Sequence, residues 1–155
     1  MPLPPELDCN GEWDEVRDRL YACFCEIFFC DPLPVIQGRL LTVDGRRLED
    51  NLEEGFWHVI SRGPPGQRLP DFNRARRMSW IPSMLDGTAP GLSRWRYPQG
   101  SGIQRQYYWL EEDQYVLILE ETKRPRVLAL VTAFFVDKAW EARDLTQKRE
   151  RGEPF

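Results

Sequence analysis

The apolar positions of this chain change period along its length. From Trp13 to Cys30 they fall at helical spacing: Trp13, Val16, Leu20, Cys23, Phe24, Ile27 and Phe28. The charges of that stretch, Asp14, Glu15, Arg17, Asp18 and Arg19, occupy its first half only. The second half, Tyr21 to Cys30, is apolar nearly all round, so a helix there must be covered by the domain or by a partner. Asp31-Pro32 ends it, because a residue before proline is pushed out of the helical region. Val35-Ile36 and Leu40-Leu41-Thr42-Val43 then read as extended, and Asp44-Gly45 is a strong hairpin-turn signal between there and Leu48. A polar connector leads into the apolar run Phe56-Trp57-His58-Val59-Ile60, which fits a buried strand or the first turn of a helix. Ser61-Arg62 and a Gly63-Pro64-Pro65-Gly66 loop follow.

Beyond that loop, Asp71 is placed to cap a short helix from Phe72. Ser79-Trp80-Ile81-Pro82 breaks it, and Pro82 suits the first turn of a second short helix through Leu85, closed by Asp86-Gly87. Residues 88–102 are rich in Gly, Pro and Ser and read as a long loop, a candidate flap over substrate. The last third has strand character: 106–110, 115–120 and 126–136, separated by polar turns, predict an antiparallel meander. The third strand is apolar on both faces around Val127-Leu128-Ala129-Leu130-Val131, which predicts a central position. Trp140 to Arg151 reads as a charged, frayed helix, and residues 1–11 as a loose, proline-rich start.

Length and composition narrow the class. A chain of 155 residues fits one domain (34–155) with a helical N-terminal extension (1–33). With 41% apolar and 12% aromatic residues it is a packed globular chain rather than a disordered one. A formal charge of −4 argues against an indiscriminate nucleic-acid binder. The first residues lack the basic and apolar regions of a leader, and the apolar runs are too short for a membrane span, so a cytoplasmic protein without membrane contact is expected. Cys9, Cys23, Cys25 and Cys30 lack the paired spacing of a zinc site, which predicts packing thiols, no metal and no cofactor.

Two features carry candidate chemistry. His58 is the only histidine, and imidazole is the side chain whose ordinary pKa lies near neutrality. In an apolar run it is either a structural residue or a proton carrier. The second feature is charge segregation: between Ser61 and Gln106 lie eight arginines, no lysine and two carboxylates. Arginine suits bidentate phosphate contact, and Trp80, Trp95 and Tyr97 are interleaved with it, as in single-strand grooves. The bland alternative is a solvated or internally paired basic face.

Three blocks, Phe56-Trp57-His58-Val59-Ile60-Ser61-Arg62, Arg74 to Ile81, and Gln114 to Glu121 running on to Leu130-Val131-Thr132-Ala133-Phe134, together resemble the phage-associated branch of the barnase–EndoU–colicin–RelE-like (BECR) nuclease superfamily. The resemblance covers about residues 34–150 and implies an α+β fold, with N-terminal helices packed on a small antiparallel β-sheet. It implies metal-independent endoribonuclease chemistry, of toxin-like or phage-derived kind, with RNA as substrate and an antitoxin or immunity protein as a candidate partner. The family's Tyr after Thr-Ala is Phe134 here, which removes a hydroxyl. On this reading His58, Arg62 and Thr132 are catalytic candidates. Arg74, Arg77, Trp80, Arg94 and Arg96 are substrate-binding candidates, and Glu120, Glu121 or a second use of His58 is an option for the second proton transfer. The competing reading is a catalytically inactive RNA-binding or protein-interaction module, with helix 13–30 as its partner surface. A zinc protein is a third, weaker option.

Overall fold

The computed structural model describes residues 2–48, 50–64 and 67–155. Met1, Glu49, Pro65 and Gly66, which fall in stretches read as loop or connector, lie outside the described residues. Helix α1 (Trp13–Phe28) opens the fold, and its buried positions Val16, Leu20, Phe24 and Phe28 recur every fourth residue. Those side chains enter the same core as the sheet residues Tyr108, Leu117, Leu119 and Leu128. The domain itself therefore covers the apolar half of this helix.

The sheet departs from the expectation of helices on a small antiparallel sheet. Seven strands form it, in the order β1-β2-β8-β7-β6-β5-β9, and it curls into a half-barrel. The strands are β1 (Val35–Ile36), β2 (Arg39–Thr42), β5 (Leu92–Gly100), β6 (Ile103–Leu110), β7 (Tyr115–Glu121), β8 (Val127–Phe135) and β9 (Glu153–Pro154). The two-stranded β3 (Ser61–Arg62) and β4 (Leu69–Pro70) pair separately. The meander β6–β7–β8 forms as the alternation predicts. Three other features enlarge the sheet.

First, residues 88–102 are not a flap. Leu92–Gly100 pairs with β6 along its length, because alternate residues face opposite ways and Trp95 is fully buried against Tyr107, ring centroids 5.2 Å apart. Second, the hairpin turn of β1–β2 is Gln37-Gly38, both at positive φ, and not Asp44-Gly45. β2 then runs parallel to β8. Third, the C-terminal helix α5 (Ala139–Arg151) is docked, with Leu145 buried, and β9 after it adds to the edge of β5. Register shifts at Pro98/Gly100 and Ile118/Leu119 add local bend to the twisted sheet.

The two sheet faces bury different clusters. One face packs beneath α1, α2 (Glu54–Ile60), α3 (Phe72–Ala75), the 3-10 turn Met78–Trp80 and α4 (Ile81–Leu85). The other holds Trp95, Tyr107, Trp109, Val116 and Ile118 against Leu145 of α5. Helix α2 sits tightly on the chain leaving β2. A Cβ built at Gly55 would lie 2.9 Å from Val43 Cβ and 3.1 Å from the Asp44 nitrogen. Gly55→Ala is therefore expected to lower stability by about 1–3 kcal/mol, read as a drop in the urea midpoint. An unchanged midpoint would show that this approach is not tight.

Candidate functional site

Of the alternatives for the stretch around His58, the helix forms: α2 spans Glu54–Ile60. Glu54 and His58 are thus one turn apart on the same side. Glu54 is buried, with 3% of its side chain exposed, and accepts from Arg68 Nη2 at 2.6 Å. His58 Nε2 lies 3.6 Å from the same carboxylate oxygen, and its Nδ1 lies 3.5 Å from Arg68 Nη2. These three side chains form one compact cluster of carboxylate, imidazole and guanidinium.

The ring is not walled in: 33% of the His58 side chain is exposed. Both its contacts are long, so neither ring nitrogen is committed to a strong internal hydrogen bond. Partial burial holds the imidazole pKa below its ordinary value, and Arg68 and then Arg74 reinforce that, while Glu54 and Asp44 oppose it. The ring is therefore neutral at neutral pH. A guanidinium beside Nδ1 favours the tautomer with the ring proton on Nε2, facing Glu54, and the lone pair on Nδ1, only weakly engaged by Arg68 at 3.5 Å.

The other candidates divide between frame and surface. Thr132, on β8, donates its hydroxyl to the His58 carbonyl at 3.2 Å. Arg74 donates to the same carbonyl at 3.0 Å and to that of Ser61 at 2.6 Å. Both fix the last turn of α2 to the sheet and to α3, so they position His58 rather than offer groups to a ligand. Asp71 caps α3, accepting from the Arg74 backbone N–H. Arg77 lies over the Phe135 ring at 4.4 Å and near Glu6 at 3.8 Å. Trp80 is not a stacking platform: it is a core residue, and its indole N–H donates to the Pro4 carbonyl. Arg94 and Arg96 lie on β5, three strands from β8. Arg96 is paired with Glu121 at 2.6 Å, and both arginines lie over the Phe155 ring. Arg62 is exposed on β3, and its side chain has no ion pair or hydrogen bond among the described residues.

The register also separates the two adjacent carboxylates. Glu120 lies two residues from Ile118 on β7 and so shares its face, the one that packs against α5, where it meets Arg105 at 3.1 Å. Glu121 points to the opposite face, held by Arg96 and Gln106. Sequence reasoning missed Glu54, although its spacing of four from His58 was visible once α2 is a helix. Arg68 was counted only as one of the basic run, because its approach depends on how the β3–β4 turn folds back.

The exposed side of α1 lines a groove elsewhere, about 750 Å³, with β1, α4 and the segment around Leu7. Ala22, Cys23 and Ile27 form its floor side, and burial pushes the Cys23 thiol up to about 11. Among the described residues, no group of three His, Cys, Asp or Glu side chains is placed to hold a metal ion. No helix among them is long and apolar enough to cross a membrane. No family model, curated protein or solved structure matches this chain.

Proposed function

We propose that this chain is a metal-independent endoribonuclease in which His58 is the general base. The observation that carries the reading is the one-third exposed imidazole set between a buried carboxylate and a guanidinium. Nδ1 takes the proton of a ribose 2′-hydroxyl, the 2′-oxygen attacks phosphorus, and the 5′-oxygen leaves with a proton from water. The product is a 2′,3′-cyclic phosphate, and His58 returns its proton to solvent. Glu54 keeps the ring oriented and stabilises the imidazolium as it forms, the role a carboxylate plays behind a catalytic histidine. Arg68 lies beside the lone pair, where negative charge develops on the phosphorane oxygens.

The test is cleavage of single-stranded RNA by the full chain, with and without chelator, with the product end analysed. Cyclic-phosphate ends at undiminished rate in chelator are expected. Products with ordinary 5′-phosphate ends would overturn the mechanism. The pH profile gives a second check. A lowered imidazole pKa places the acid limb of kcat/KM below 6.5, the ordinary imidazole value. Asp44 raises that pKa, so Asp44→Asn is expected to move the limb lower still. A limb that stays put in Asp44→Asn would detach it from His58.

A non-catalytic RNA-binding or protein-interaction module is the second reading. It is favoured over catalysis because Arg68, Arg74, Arg77, Arg96 and Arg105 of the basic segment have internal partners, which leaves fewer guanidinium groups to grip a scissile phosphate. RNA binding with no product at any pH would decide for it.

A further inference from the structure

Trp80 is core, which leaves the question of what an RNA base would stack on. An aromatic group joins the helix that carries His58 through Trp57, its neighbour on α2. Trp13 at the start of α1, Trp57 on α2 and Phe72 at the start of α3 meet with ring centroids 6.3 Å apart, Trp13 to each of the others. The Trp13–Trp57 pair is tilted by 42° and the Trp13–Phe72 pair by 63°, so neither contact is a face-to-face stack. Phe72 is 38% exposed and its neighbour Leu69 66% exposed. Large apolar side chains left in water together mark a surface that something else covers.

The charge around them says what covers it. Arg62 sits across the β3–β4 ladder from Leu69, and Arg76 donates from Nε to the Phe72 carbonyl at 3.0 Å. Neither guanidinium has a carboxylate partner among the described residues, unlike Arg68, Arg77, Arg96 and Arg105. An exposed ring whose own carbonyl holds the Arg76 guanidinium, with Arg62 across the ladder from Leu69 three residues before it, fits a nucleobase with its flanking phosphates, since a base supplies a flat π-face and the backbone supplies anions. The platform is also tied to the reacting group. Trp57 precedes His58 on α2, and Arg74, two residues past Phe72, holds the His58 carbonyl.

The geometry points to a subsite for one unstacked base of single-stranded RNA on Phe72, backed by Trp13 and Trp57, with Arg62 and Arg76 on the adjoining phosphates. This inference rests on the proposed function and adds to it the place where one base is held, which a paired base could not occupy because it offers no free face.

The experiment uses the full chain carrying His58→Ala and a fluorescein-labelled 2′-O-methyl oligoadenylate of about 12 nucleotides, within the usual single-strand site size. Phe72→Ala is expected to weaken binding about tenfold, the loss typical of one stacked base. Phe72→Leu, which keeps apolar bulk but no π-face, should weaken it similarly, and Phe72→Trp should retain it. Phe29→Ala, another exposed aromatic at the opposite end of α1, should leave it unchanged. Equal binding by the parent, Phe72→Ala and Phe72→Leu proteins would overturn the subsite while leaving the nuclease reading intact. Absence of binding by the parent at low salt, together with absence of cleavage by the wild-type chain, would overturn both.

Discussion

His58→Ala is expected to lower the rate of RNA cleavage by about 10²–10⁴-fold, the usual worth of a positioned general base. The fold should survive the change. A third of the side chain already faces solvent, its two polar contacts are long, and the anchoring bonds from Thr132 and Arg74 go to the His58 backbone. Alanine keeps that carbonyl and suits a helix interior. The measurement is the single-turnover rate on a single-stranded RNA, alongside the thermal midpoint. A variant that cleaves at the parent rate would remove the imidazole from the chemistry. A variant that has lost its cooperative transition would show that the ring is structural.

Glu54→Ala should act on stability as well as on the ring it orients. Glu54 and Arg68 expose 3% and 10% of their side chains and meet at 2.6 Å. Removing the carboxylate leaves the guanidinium in a poorly hydrated place without its counter-charge, a loss of about 3–5 kcal/mol for a buried pair. The β3–β4 turn, which Arg68 anchors to α2, should loosen with it. Glu54→Leu combined with Arg68→Met takes out both charges and is expected to recover most of the loss. Denaturant unfolding of the single and double variants checks this. A single-variant loss below about 1 kcal/mol, the range of exposed pairs, would show that the pair is better hydrated than its burial indicates.

Local order was legible in the residues. The stripe Val16, Leu20, Phe24, Phe28 announced α1, Asp71 announced the start of α3, and the strand-like runs 106–110, 115–120 and 126–136 between polar turns announced the meander. What escaped were pairings decided far away in sequence. The Gly, Pro and Ser around Leu92–Gly100 disguise a strand whose evidence is one buried Trp95, stacked on a ring supplied by β6. Gln37-Gly38 outcompetes Asp44-Gly45 because β2 must stop at Thr42 for the chain to reach α2.

The site follows the same division. His58 stood out by its uniqueness, and Glu54 was available one helical turn away. Which aromatic is core and which is surface was not available: Trp80 and Phe72 are eight positions apart in one basic run, and only packing against Pro4 or Trp13 separates them.

The parallel seam between β2 and β8 has a kinetic side. Thr42 bonds to the Leu128 carbonyl across 86 positions of chain, whereas β5 to β8 are joined hairpin by hairpin. Closing the longer loop carries the larger entropic penalty, so the meander condenses early and the amino-terminal strands zip onto it afterwards. A nascent chain would then expose the flank of β8 until β2 arrives, making that seam the place where a mis-paired neighbour does most harm.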